Sequence, residues 1–177
     1  MGEDKALLCH DGETLLARHV RLAGEAGLTV CVAQGESRYA LPEGVFAVDD
    51  ALPERQGPLS ALAGVLRFAE SAGWQSVLVM PVDTLITPAQ LRAALPPMAA
   101  PFACLVHEGR PQPLFARVHV SLRARLEMWL KSGVRRMMPL AAMDGVDYVP
   151  LPADWVQPVN FNTPQEWQAA HEQETRR

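Results

Sequence analysis

PLSALAGVLRFAESAGWQSVLVMPVDT, residues 58–84, carries two hydrophobic periods in succession. Over 58–72, Leu59, Leu62, Ala63, Leu66 and Ala69 recur at three- and four-residue intervals, the spacing of one helical face. Over 76–80 the run SVLVM is unbroken and apolar, the most apolar strand candidate in the chain. Two shorter runs lie upstream, TVCVA at 29–33 and VFAV at 45–48, each rich in β-branched residues and bounded by turn formers. Such runs suit strands covered on both faces, and the alternation with helices is a βαβ rhythm. The expectation is an α/β fold around a mostly parallel sheet.

The same signals extend to both sides. Residues 14–26 show helical spacing through Leu15, Leu16, His19, Val20 and Ala23, with Gly27 as a stop. Thr87-Pro88-Ala89-Gln90 and Thr163-Pro164-Gln165-Glu166 each combine a hydroxyl cap, a proline at the first helical position and an amide or acid at the third, so both predict helix starts. Between them, 102–107 and 113–117 read as strands, 121–132 as a helix, 134–143 as a shorter one and 147–151 as a last strand. The prolines gather in connections, at 95–101 and 150–158, and no linker or internal repeat divides residues 1–177, so a single domain is expected.

Composition narrows the partners. Of 177 residues, 49% are hydrophobic and 20% charged, enough to bury a substantial core. The 16 basic and 20 acidic residues leave a net charge of -4 with no basic stripe, which argues against nucleic acid. No run approaches the roughly 18 apolar residues of a membrane span, and Met-Gly-Glu-Asp-Lys lacks a signal-peptide core, so a cytoplasmic, membrane-free protein is expected. Cys9, Cys31 and Cys104 are far apart and read as buried thiols, and the five histidines have no zinc-ligand spacing.

Open parallel sheets bind ligands beyond the carboxyl ends of their strands. Asp83 follows SVLVM directly and suits a magnesium ion held by one carboxylate plus substrate phosphates, or equally a turn cap before Pro88. Asp49 and Asp50 end the 45–48 strand ahead of Gln56-Gly57-Pro58. A carboxylate there can accept from a ribose hydroxyl or the donor edge of guanine, and Gly57 permits close approach to the backbone; the alternative is a polar loop with a Gly-Pro helix entry. Lys5 can steady a phosphate as a point charge, or be ordinary surface. Asn160 and Asn162 precede a helix N-terminus that favours an anion, or simply form a turn. Arg135 and Arg136 either clamp an anionic substrate or are solvated at a helix start.

Taken in order, MG-x-DKALL, the acidic strand end before QGPL, PVDT, QPLFARV, SGVRRM and VNFNTP resemble the molybdenum cofactor guanylyltransferase family over essentially the whole chain. The resemblance implies a doubly wound, Rossmann-like nucleotidyltransferase fold and Mg2+-dependent transfer of GMP from GTP to molybdopterin, with pyrophosphate released. It also implies roles: Lys5 as the nucleotide-binding lysine, Asp50 as the GTP-contacting aspartate, Asp83 as the magnesium ligand, Gly57 as the glycine of GPL, and Asn160 and Asn162 as the paired asparagines near the transfer site. GTP and molybdopterin are then the partners, with room for other cofactor-biosynthesis proteins or acceptor enzymes.

Two features depart from that pattern. Family members open with a strand and a glycine-rich LAGG-type loop ending in Arg-Met-Gly, and Met1-Gly2 resembles the end of that loop. The implied expectation is a first strand and a triphosphate-wrapping loop that this sequence does not include, with weakened GTP affinity and open strand edges. Ala33 and Leu85 also stand where the family often has asparagine and proline. Two alternatives remain at this point: a non-catalytic fragment or paralogue that binds the cofactor or a partner, and a related transferase that uses CTP.

Overall fold

A computed structural model of the chain describes residues 4–54, 56–97, 99–153 and 155. After a 3-10 turn at Lys5–Leu7, the elements run β1 (Cys9–His10), β2 (Glu13–Thr14), α1 (Leu15–Glu25), β3 (Val30–Ala33), β4 (Val45–Val48), α2 (Pro58–Ser71), β5 (Ser76–Val79), α3 (Pro88–Ala94), β6 (Phe102–His107), β7 (Arg110–His119), α4 (Arg123–Lys131), α5 (Met138–Ala141) and β8 (Val146–Pro150). β3 and β4 pair in parallel, and a second sheet has the order β5-β7-β6-β8. In it β6 and β8 are parallel, whereas β7 runs antiparallel to both β5 and β6.

Three of the four strands of this second sheet, β5, β6 and β8, point the same way, as expected of a mostly parallel sheet, and β7 alone runs against them. It begins at Arg110, three residues earlier than expected, because Glu108 and Gly109 both take positive φ, 50° and 73°, and close a two-residue hairpin with β6. The small β1–β2 hairpin was not anticipated either, although its turn, Asp11-Gly12 with φ of 50° and 84°, is a strong two-residue turn signal. The helix expected over 121–132 starts as a 3-10 turn, Val120–Leu122, before α4, and the one expected over 134–143 contracts to α5. The helix predicted at Thr163 lies outside the described residues.

Strand periodicity sorts the core into two faces. On β6, Phe102 and Cys104 point into one cluster with Val77, Ala116 and Val118, covered by Leu59, Leu62, Ala63 and Leu66 of α2 and Leu126 of α4. Ala103 and Leu105 point the other way, with Phe115, towards Ile86, Leu91 and Leu95 around α3. Helices therefore cover both faces of the larger sheet, as a doubly wound α/β fold requires. β3 and β4 are less covered than their apolar sequences predict: Phe46 is 42% exposed and Ala33 also reaches solvent.

Of the three thiols, Cys104 is buried and Cys31 partly so, and burial pushes both up to about 11. Cys9 corrects the expectation of buried thiols: it is exposed, because in its two-residue strand it takes the outward position while His10 takes the buried one. No helix among the described residues is long and apolar enough to cross a membrane.

Candidate functional site

Asp83 sits in the connection that leaves β5. The residues after it are sealed into the core, Thr84, Leu85 and Ile86 all being 0% exposed. Thr84 turns its hydroxyl inward to accept from the Ile86 amide at 3.1 Å, which fixes the turn. The Asp83 carboxylate itself stays 15% exposed. α3 then starts with the capping box predicted from Thr87 and Gln90, so the connection is held from its far end too.

Lys5 reaches this carboxylate from the other end of the sequence. Its Nζ donates to Asp83 Oδ2 at 2.5 Å across 78 positions. The lysine is placed by a short polar relay. Asp4 caps the 3-10 turn by accepting from the Ala6 amide at 3.0 Å, and its other oxygen accepts from the Tyr39 hydroxyl at 2.7 Å. The Tyr39 amide in turn donates to the buried Gln34 side chain at 2.9 Å. The loop after β3 therefore braces the lysine, and Arg38 of the same loop lies 3.5 Å from Asp49 at the end of β4.

Asp50 has one carboxylate oxygen buried with no hydrogen-bond partner among the described residues. Burial, and then the neighbouring Asp49 charge, raise its carboxyl above the ordinary aspartate range. α2 lies flush against this segment at Gly64, where a Cβ would sit 2.1 Å from the Asp49 carbonyl oxygen. Gly64 carries a sequence signal for this, an isolated glycine inside a helical pattern, beyond the residues singled out above.

Gly57 enters α2 with φ +85°, and a Cβ there would meet the Arg135 carbonyl oxygen at 2.9 Å. Arg135 is built into this joint. Its Nε donates to Gln56 Oε1 at 2.9 Å, and its Nη1 donates to the Leu130 and Val134 carbonyls at 2.8 and 3.0 Å. The guanidinium thus ties the end of α4 to the entrance of α2. Asn160 and Asn162 lie outside the described residues.

Lys5 and Asp83 are therefore in contact, and Gly57 and Arg135 are in contact. Asp50 is linked to the first pair through Asp49, Arg38 and the braced loop. As a single hard carboxylate reachable from solvent, Asp83 fits a magnesium ion carried in on phosphates rather than one caged by protein alone. The described residues contain no group of three or more His, Cys, Asp and Glu able to hold a metal.

Residues 1–146 match the family described as MobA-like NTP transferase domain. A molybdenum cofactor guanylyltransferase of Acidiphilium cryptum is 33% identical over 172 residues, 96% of this chain and 86% of that protein. A probable molybdenum cofactor guanylyltransferase of Synechococcus elongatus is 34% identical over 178 residues, 96% of this chain and 90% of that protein. Among solved structures, molybdopterin-guanine dinucleotide biosynthesis protein A from Archaeoglobus fulgidus superposes with a TM-score of 0.75 at 19% identity, covering 99% of this chain and 93% of that one. The 2-C-methyl-D-erythritol 4-phosphate cytidylyltransferase of Thermus thermophilus gives a TM-score of 0.64 at 19% identity, covering 97% and 94%. At that identity the two structures speak to the fold, which is the Rossmann-like fold of nucleotidyltransferases.

Proposed function

The chain belongs to the MobA-like NTP transferase family, and from that premise we propose that it transfers GMP from GTP to molybdopterin in molybdenum cofactor biosynthesis. The guanylyltransferase name shared by the relatives favours this reading over a CTP-dependent transferase or a non-catalytic fragment. The observation that carries it is the Lys5–Asp83 contact beyond the carboxyl end of β5, where an α/β sheet places its ligand.

The reaction requires little from the protein beyond position and charge. A phosphate oxygen of the pterin attacks the α-phosphorus of GTP, a new P–O bond forms, and the bond to the β-phosphate breaks with pyrophosphate taking the electron pair. Lys5 turns its ammonium to the phosphates and offsets the charge that moves onto the leaving group. Asp83 would hold Mg2+, which when bound would supply further positive charge to the same phosphates. The unpartnered oxygen of Asp50 accepts from the donor edge of guanine, which relieves a buried acceptor, and Gly57 lets the nucleotide lie against the backbone. Arg135 serves substrate binding by holding the Gln56-Gly57 entrance in place, and Asn160 and Asn162 are assigned to the pterin side.

Titration calorimetry with GTP and MgCl2 tests the assignment. Wild type is expected to bind GTP, with affinity falling by about tenfold in both Asp83→Asn and Asp50→Asn, the cost of one charge-assisted bond. Unchanged affinity in both variants would remove Asp83 and Asp50 from the site.

A further inference from the structure

α1 packs behind the Lys5–Asp83 pair and touches both of its supports. The Leu15 amide donates to the Leu8 carbonyl at 2.8 Å, three residues beyond Lys5, and Leu15, Leu8, Leu85 and Val82 form one apolar cluster. From the same helix, His19 Nε2 lies 3.2 Å from the Val82 carbonyl and Arg18 Nη2 donates to the Leu85 carbonyl at 3.3 Å. These two carbonyls flank Asp83 by one and two residues.

We propose that His19 is a positioning residue for the Asp83 carboxylate: it fixes the backbone beside Asp83 against α1, the helix that also anchors the Lys5 segment, and so sets the spacing of the two groups. The proposal rests on the reading of Asp83 given above as the ligand of a nucleotide-borne metal.

His19 is 8% exposed. Burial, and then the charge of Arg18, lower its pKa to about 4, so it is neutral near pH 7 and carries one N–H. Only a proton on Nε2 makes a hydrogen bond to the Val82 carbonyl, which assigns the tautomer. Nδ1 is then a buried acceptor with no hydrogen-bond partner among the described residues, which costs stability. Packing alone gives no reason to bury a polar ring here, since an aliphatic side chain would fill the space without that cost. The donor at Nε2 is what the position uses, because without it the Val82 carbonyl loses its clasp and the carboxylate one residue later loses its aim.

Glutamine places an amide donor near the reach of Nε2, whereas the shorter asparagine does not, and both are polar and of tolerable size. The test uses the full chain with GTP present and Mn2+ as the probe, its free ion counted by electron paramagnetic resonance, alongside thermal melts and steady-state transfer kinetics. His19→Asn is expected to lose about tenfold or more in Mn2+ affinity and in kcat, the usual effect of losing a support behind a metal ligand, with KM for GTP within about threefold. His19→Gln is expected to stay within about threefold of wild type on every readout. Two results would overturn the proposal while leaving the metal reading intact: Asp83→Asn loses Mn2+ and His19→Asn does not, or the two His19 variants lose equally and in step with their melting temperatures. Absence of Mn2+ binding by wild type, or an unchanged affinity in Asp83→Asn, would overturn both.

Discussion

At the scale of single residues, His19 links the buried helix to the site in a way that pH can read. Its pKa is about 4 in the folded chain against 6.5 for the free group. A lowered folded value means that the unfolded chain binds the proton more tightly, so the stability gained by burying a neutral ring is fully present above about pH 6.5 and is lost as pH falls through 4. The loss should approach about 3 kcal/mol at the acid end. Urea unfolding of wild type and His19→Gln at a series of pH values checks it: the stability difference between the two should shift in favour of the variant on acidification, and parallel curves would refute the assignment. The sequence placed His19 on the inward helix face, but a histidine at such a spacing carries no mark of what it bonds to. Lys5 and Asp83 were each legible as chemistry-bearing side chains next to apolar segments; their contact was not, because 78 positions separate them and only the fold joins them. Arg135 was legible as a cation, while its engagement with Gln56 and two carbonyls depends on how α4 ends.

At the scale of elements, the helix starts were read most securely because their signals are local. Thr87 and Gln90 form both bonds of the capping box, with Pro88 at the first position, as the tetrapeptide implies. The hairpin turns were equally local yet overlooked: Asp11-Gly12 and Glu108-Gly109 set the β1–β2 pairing and the early start of β7. Gly64 belongs to this scale as well, since its role is to let α2 lie on the chain leaving β4. Alanine is the better helix former by roughly 1 kcal/mol, but the added methyl would stand 2.1 Å from a backbone oxygen that has no side-chain freedom to retreat. Overpacking typically costs about 1–3 kcal/mol, so the net change for Gly64→Ala is a loss of stability. The shift it forces falls on Asp49 and Asp50, and GTP affinity should drop with it. A melting temperature at or above that of wild type, with GTP binding intact, would contradict the close packing described.

At the scale of the whole molecule, the alternation of helices and apolar runs was enough to predict the α/β class, because each strand of the larger sheet has residues on both faces to bury and helices to bury them. What alternation does not encode is strand order or the direction of any one strand, which is why the reversed β7 between β5 and β6 was not legible. Among the described residues no ladder joins β3–β4 to the larger sheet, and β3 and β5 each pair with one strand. β6 is paired on both sides, with β7 and β8. Native-state hydrogen exchange should therefore protect the amides of Phe102–His107 most strongly, with some amides of Val30–Ala33 and Ser76–Val79 exchanging far faster. Uniform protection across the three strands would show that the edges are covered.

The transfer reaction itself is the most direct test. GTP labelled at the α-phosphate, molybdopterin and MgCl2 are incubated with the full chain, and the labelled products are separated. The prediction is that label appears in a molybdopterin guanine dinucleotide with release of pyrophosphate, and that Lys5→Met and Asp83→Asn each slow its formation by about a hundredfold or more, as the removal of preorganised charge does elsewhere. Transfer from labelled CTP but not from GTP, or GTP transfer that proceeds undiminished in both variants, would contradict the claim that this strand-end pair of Lys5 and Asp83 is the centre of a guanylyltransferase.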